Sequence, residues 1–173
     1  MFGAWMRCLD PNITDVMQDT SVDKLHIGSL MTNWAKANRR AFPWREPDRT
    51  PYEILVAELL LKRTTAQAAS RLYESFLVKF PNVYAIVEAS LSDLETELST
   101  IGLQKQRADG FKAMATFLVN RYNGIVPLNL IELLEIPHVG AYAARAVRSF
   151  GHNKPAAVVD SNVMRVFGRV FLQ

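Results

Sequence analysis

Glu58 is the lone acid in the apolar run Ile54-Leu55-Val56-Ala57-Glu58-Leu59-Leu60-Leu61. Carried into a core by that run, its carboxyl would rise in pKa and keep a proton to give away near neutral pH. The same acid stands four residues ahead of Lys62, which also suits an exposed pair worth about 0.2–0.5 kcal/mol; these residues alone leave both readings open. Asp160 follows Val158-Val159 and precedes a helical run, the position of a good N-cap. Tyr142 lies in Leu133-Leu134-Glu135-Ile136-Pro137-His138-Val139-Gly140-Ala141-Tyr142-Ala143-Ala144-Arg145-Ala146-Val147. There a short helix meets a tight turn with Pro137 and Gly140, and small residues open the next helix. N–H groups at such a helix start point outward, where the helix dipole favours a phosphate. An ordinary helical hairpin with Tyr142 as a core aromatic fits the same residues.

The elements that must position these groups read as helix nearly everywhere. Apolar spacing predicts helices over Leu25 to Ala41, Tyr52 to Lys62, Thr65 to Phe80, Val83 to Ala89, Leu91 to Ile101 and Lys105 to Tyr122, with another short one through Leu134. Pro51 suits a first turn, Pro81 and Gly102 interrupt, and Asn123-Gly124 makes a helix stop. The one extended candidate, Ala157-Val158-Val159, is too short for a sheet, so the expected class is all-α with about nine or ten helices.

With 173 residues, 49% hydrophobic and 21% charged, the chain can bury a sizeable core and is expected to be one domain or two halves sharing a core. No apolar run approaches the roughly 18 residues of a spanning helix, and the start lacks a signal-peptide pattern, so no membrane role or secretion is expected. Cys8, the single cysteine, cannot supply the thiolates of a zinc or iron–sulfur site, and no metal is expected. The net charge of +3 divides unevenly: residues 1–100 carry 11 basic and 13 acidic side chains (−2), and residues 101–173 carry 9 and 4 (+5). A basic half suits a polyanion, although any solvated surface gives a milder version of that imbalance.

Distances between motifs sharpen the reading. Phe42-Pro43-Trp44-Arg45, Pro51-Tyr52, Ala57-Glu58-Leu59-Leu60-Leu61, Gly102-Leu103, the hairpin, and Val159-Asp160-Ser161-Asn162-Val163-Met164-Arg165-Val166 occur in that order. Over about residues 25–171 the chain resembles the helix-hairpin-helix DNA glycosylases, the group of endonuclease III. Within them it looks like the mismatch branch of adenine and G·T thymine glycosylases. The resemblance implies a six-helix barrel domain over 48–155, with the helix-hairpin-helix at about 130–151, and a second helical domain from 1–47 and 156–173. Family members usually continue past this C-terminus, and many hold a [4Fe–4S] cluster on four cysteines there. The expectation is therefore a second domain truncated at Gln173 and no cofactor. His138 stands where the family usually has glycine; a left-handed backbone there would be strained but allowed.

The resemblance also implies roles. Asp160 matches the family's aspartate beside the sugar, and Glu58 the adenine-branch glutamate that protonates the leaving base. Tyr142 replaces the lysine with which bifunctional members form a Schiff base, so a monofunctional enzyme without lyase activity is implied. Lys62, Arg63 and Leu103 match residues that enter the gap left by a flipped base or touch its estranged partner. Lys105, Arg107, His138, Gly140, Arg145 and Arg148 are candidate DNA contacts, chiefly to phosphate. The implied substrate is double-stranded DNA with a mispaired base, thymine or uracil opposite guanine first and adenine opposite guanine or 8-oxoguanine close behind. A monomer in the cytoplasm (at the nucleoid) or nucleus is expected. The competing expectation is a DNA-binding remnant or truncated fragment without catalysis.

Overall fold

Capping signals and turn residues set the helix boundaries in the computed structural model, which describes residues 24–38 and 40–171. Cys8 and the rest of 1–23, residue 39 and residues 172–173 lie outside the described residues. The described residues form nine α-helices: α1 (Lys24–Asn38), α2 (Pro51–Leu60), α3 (Ala66–Lys79), α4 (Val83–Glu88), α5 (Leu91–Leu98), α6 (Gln104–Tyr122), α7 (Leu130–Glu135), α8 (Ala141–Ala146) and α9 (Ser161–Phe171). Short 3-10 turns at Pro43–Arg45 and Ser99–Ile101 and a π turn at Val147–Gly151 supplement them. The all-α expectation holds.

Thr50 starts α2 with a reciprocal pair of bonds: Glu53 N–H donates to the Thr50 hydroxyl at 3.2 Å, and Thr50 N–H donates to the Glu53 carboxylate at 2.7 Å. Pro51 fills the first helical position. Ser90 and Asp93 repeat the device at α5, while Thr65, Asn82 and Asn129 cap α3, α4 and α7. Helix α6 ends at Asn123 and Gly124, whose φ values are 50° and 77°. The Gly124 N–H reaches back to the Leu118 carbonyl at 3.0 Å. A Cβ on Gly124 would meet the Tyr84 ring at 2.6 Å, so glycine is required there for space as well as for backbone.

Helix α2, apolar except for Glu53 and Glu58, buries Ile54, Leu55, Val56, Ala57, Leu59 and Leu60, as a central helix must. It packs on α3, α8 and the π turn, while α6 packs on α4 and α5 from the other side. Tyr73, Phe76, Leu94, Leu98, Phe111, Met114, Leu118 and Leu133 complete the core, with Phe76 and Phe111 ring centroids 4.8 Å apart. Each such large side chain contributes about 1.5–3 kcal/mol by leaving water. Gly151 lets the π turn close on α2, since a Cβ there would lie 2.6 Å from the Pro51 Cα. Helices α1 and α9 carry large apolar residues into solvent instead, among them Leu30, Met31 and Trp34 on α1 and Met164 and Val166 on α9.

Candidate active site

Glu58 sits in the last turn of α2, Tyr142 in the first turn of α8, and Asp160 immediately before α9. Because α8 packs across α2, the phenol of Tyr142 comes close enough to feel the charges of Glu58, Asp160 and Arg45. Three residues separated by up to a hundred positions thus share one locality.

Their protonation states differ. Burial pushes the Glu58 carboxyl up to about 8, with the Lys62 ammonium pulling in the opposite direction. Lys62 forms no ion pair with Glu58; its ammonium donates to the His138 carbonyl across the hairpin. The exposed-pair reading of Glu58 is therefore not the one the fold adopts. Asp160 is held below the usual carboxylate range, first by the Val163 N–H, which donates to its Oδ1 at 2.8 Å. The Asn162 side-chain amide adds a bond to Oδ2 at 3.1 Å. Asp160 is thus the N-cap of α9 and an ionised group at neutral pH together. Tyr142 is 42% exposed, which removes the core-aromatic alternative. Burial of its hydroxyl, reinforced by the Glu58 and Asp160 charges and opposed by Arg45, pushes its pKa to about 12, so the phenol stays neutral. One carboxyl able to donate a proton and one that remains charged, beside a neutral phenol, is the division of labour that cleavage of a glycosidic bond uses.

Around this locality the backbone is strained. Arg63, Leu103 and His138 adopt φ of 50°, 54° and 64°, half of the described non-glycine residues with positive φ. Each costs on the order of 1 kcal/mol. Arg63 is exposed in the turn after α2, and Leu103 is 49% exposed at the head of α6. His138 confirms the left-handed turn that the sequence allowed, and its ring lies over Gly110 of α6, 3.4 Å from where a Cβ there would stand. Gly140 faces open space, with nothing within 4 Å of a would-be Cβ. Lys105 is exposed and Arg145 half-buried.

One expected phosphate contact, Arg107, needs correcting, and a second, Arg148, has partners within the fold. Arg107 is only 8% exposed, and its guanidinium donates inward to the carbonyls of Gly102, Leu59, Leu60 and Lys62. A buried cation with that many acceptors is satisfied inside the fold and does not face a ligand. Arg148 is half-buried and donates to Pro155 and Leu128 carbonyls at 3.3 and 3.2 Å, tying two loops together. Arg45, by contrast, was not among the expected site residues, although it closes the Phe42-Pro43-Trp44-Arg45 motif. The stacking of Phe42 on Trp44 at 5.0 Å, with Trp44 edge-on to Tyr73, anchors that turn beside Tyr142.

Among the described residues no group of three or more His, Cys, Asp or Glu is placed to hold a metal. The chain's one cysteine does not fit a four-thiolate iron–sulfur cluster. Among the same residues, no helix is long and apolar enough to cross a membrane.

Comparison with known proteins supplies the context for this arrangement. Residues 56–173 match the family described as HhH-GPD superfamily base excision DNA repair protein. The chain is 39% identical over 148 residues to a thymine/uracil-DNA glycosylase of Methanothermobacter thermautotrophicus, covering 86% of this chain and 66% of that one. An adenine DNA glycosylase of Mycobacterium tuberculosis is 34% identical over 79% of this chain, which spans 44% of it. Among solved structures, a thermostable thymine-DNA glycosylase superposes with a TM-score of 0.79 at 38% identity, over 84% of this chain and 66% of that one. The chain therefore spans two thirds or less of the length of these relatives.

Proposed function

The chain belongs to the HhH-GPD superfamily of base excision DNA repair proteins, and from that premise we propose that it is a monofunctional DNA N-glycosylase acting on mispaired bases in duplex DNA. The observation that carries the reading is the convergence of a protonated Glu58 and an ionised Asp160 on a neutral Tyr142.

The target nucleotide is rotated out of the stack, at a cost of a few kcal/mol that a mismatch lowers. Arg63 and Leu103, held outward on strained turns, occupy the space it leaves, and Lys62 stands beside them. Glu58 donates its proton to the leaving base as the C1′–N bond breaks. The Asp160 carboxylate stabilises the positive charge that the sugar acquires, and water adds at C1′ to leave free base and an abasic site. In this reading 48–155 is the barrel domain and 1–47 with 156–173 contribute to a second one. The protein works as a monomer at the nucleoid or in the nucleus. Thymine or uracil opposite guanine is the favoured substrate: Leu61-Lys62-Arg63-Thr64-Thr65-Ala66 and Gly102-Leu103-Gln104-Lys105-Gln106-Arg107-Ala108 resemble the thymine-type enzymes, and the first relative above bears that name.

Incubation with duplexes containing G·T, G·U, G·A and 8-oxoguanine·A pairs, followed by alkali, tests the reading; strand breaks at none of them would overturn it. Two further outcomes are expected. Duplex binding weakens steeply with salt, because cations of the basic C-terminal part, the exposed Lys105 among them, release counterions as they meet phosphate. Equal affinity at low and moderate salt would be incompatible with that contact mode. Tyr142 offers no amine for a sugar adduct, so borohydride traps no covalent enzyme–DNA species and breaks appear only after alkali. A trapped adduct would show that another amine is the nucleophile.

A further inference from the structure

Arg107 reaches both exposed turns of the site from inside the protein. Its Nε donates to the Gly102 carbonyl at 2.8 Å, and its backbone N–H to the Leu103 carbonyl at 2.9 Å. From the same guanidinium, Nη2 donates to the Lys62 carbonyl at 2.5 Å, and Nη1 to the Leu59 and Leu60 carbonyls at 3.2 Å. Lys62 and Gly102 are the residues immediately before Arg63 and Leu103, each of which holds a left-handed backbone with an exposed side chain. Leu59 and Leu60 end α2, where carbonyls lack helical partners and a cation is favoured. A single planar fork thus closes the C-terminus of the helix carrying Glu58 and grips the peptide preceding each outward tip.

We propose that Arg107 is a positioning residue that holds the Arg63 and Leu103 tips in register with each other, anchored on the end of the Glu58 helix, so that both fill the gap together as the base is extruded. The inference rests on the glycosylase reading and adds a residue that never touches DNA. Two turns in unfavourable backbone conformations relax independently unless something over-determines them. Arg107 is the group bonded to both. Lysine at this position keeps the charge but not the fork, and cannot span carbonyls that diverge in several directions.

The test compares wild type with Arg107→Lys in single-turnover release of uracil from two substrates. One is a duplex with a G·U pair, where the tips must fill a gap; the other carries uracil in a short unpaired bubble, where there is no gap to fill. The expected result is a fall of about 100-fold on the paired duplex and no more than about threefold on the bubble, the scale of loss that small misplacement produces. Rates are normalised to the folded fraction from thermal melting, and Arg107→Gln, which retains an amide donor, is measured alongside. Parallel losses on the two substrates would overturn the proposal, because a residue acting through general stability lowers both equally. So would failure of both variants to melt cooperatively. If wild type folds but releases uracil from neither substrate, the glycosylase reading itself fails, an outcome separate from an unselective loss in the variants.

Discussion

Asp160→Asn leaves the protein folded and removes most of its capacity to excise a base. Asp160 caps a helix in the structure and stabilises the sugar cation in the proposed reaction, and the two roles make different demands on the side chain. As the N-cap of α9 it accepts the Val163 N–H at 2.8 Å, a bond that the asparagine carbonyl accepts about as well. The melting temperature is expected to stay within about 2 °C of wild type. Asparagine has no charge, however, and a flipped nucleotide seated over the site excludes the water that would otherwise screen the developing sugar cation. Loss of a fixed electrostatic partner in such a setting slows reaction by about 100-fold to 1,000-fold. Mismatch binding survives, because the phosphate contacts lie elsewhere. Single-turnover excision and melting on one preparation decide the matter. Near-normal excision by the asparagine variant would leave Asp160 as a cap alone.

Local chemistry made much of this fold legible beforehand. Pro51, the Ser90 and Asp93 pair, Gly102 and Asn123-Gly124 each fix a boundary through bonds within a few residues, and each boundary lies where the sequence put it to within a residue or two. The misses arise where geometry is set from a distance. The helix expected through Ala41 does not include Arg40 or Ala41, and the one expected through Ile101 tightens into a 3-10 turn from Ser99. The widening of α8 into the π turn follows from close packing on α2 around Gly151, which periodicity does not record. Arg107 is the sharpest case. An arginine in a basic, helical stretch reads as a phosphate contact, and only the fold brings the Lys62 carbonyl, 45 positions away, against its guanidinium. Arg45 is hidden from the sequence for the mirror-image reason, since its place beside Tyr142 depends on the stacked Phe42 and Trp44 seating their turn against Tyr73.

The placement of Glu58 shows what such a site asks of stability. On α2 burial opposes the charge of Glu53 as well, but bonds from Thr50 and Arg49 offset it there, whereas Glu58 has only the Lys62 ammonium to set against its burial. Its folded pKa of about 8 exceeds that of a free glutamate, so the proton it carries favours the folded state most at pH values below the unfolded pKa. That contribution is lost progressively as pH rises through the folded pKa. At neutral pH the unfolded chain has already ionised Glu58 while the folded chain still holds its proton. A permanently neutral isostere escapes that difference, and Glu58→Gln is expected to stabilise the protein by about 1–3 kcal/mol at pH 7. Excision moves the other way, because an amide gives no proton to a leaving base; a loss of about 100-fold or more is expected for a general acid. In wild type, excision should decline as pH rises through about 8, with ionisation of the acid. Glu58→Gln should flatten that limb of the profile. Melting at pH 7 and single-turnover rates from pH 6 to 9 on both proteins check the pair of effects. A variant that is less stable yet equally active would place Glu58 outside the chemistry, as a surface acid.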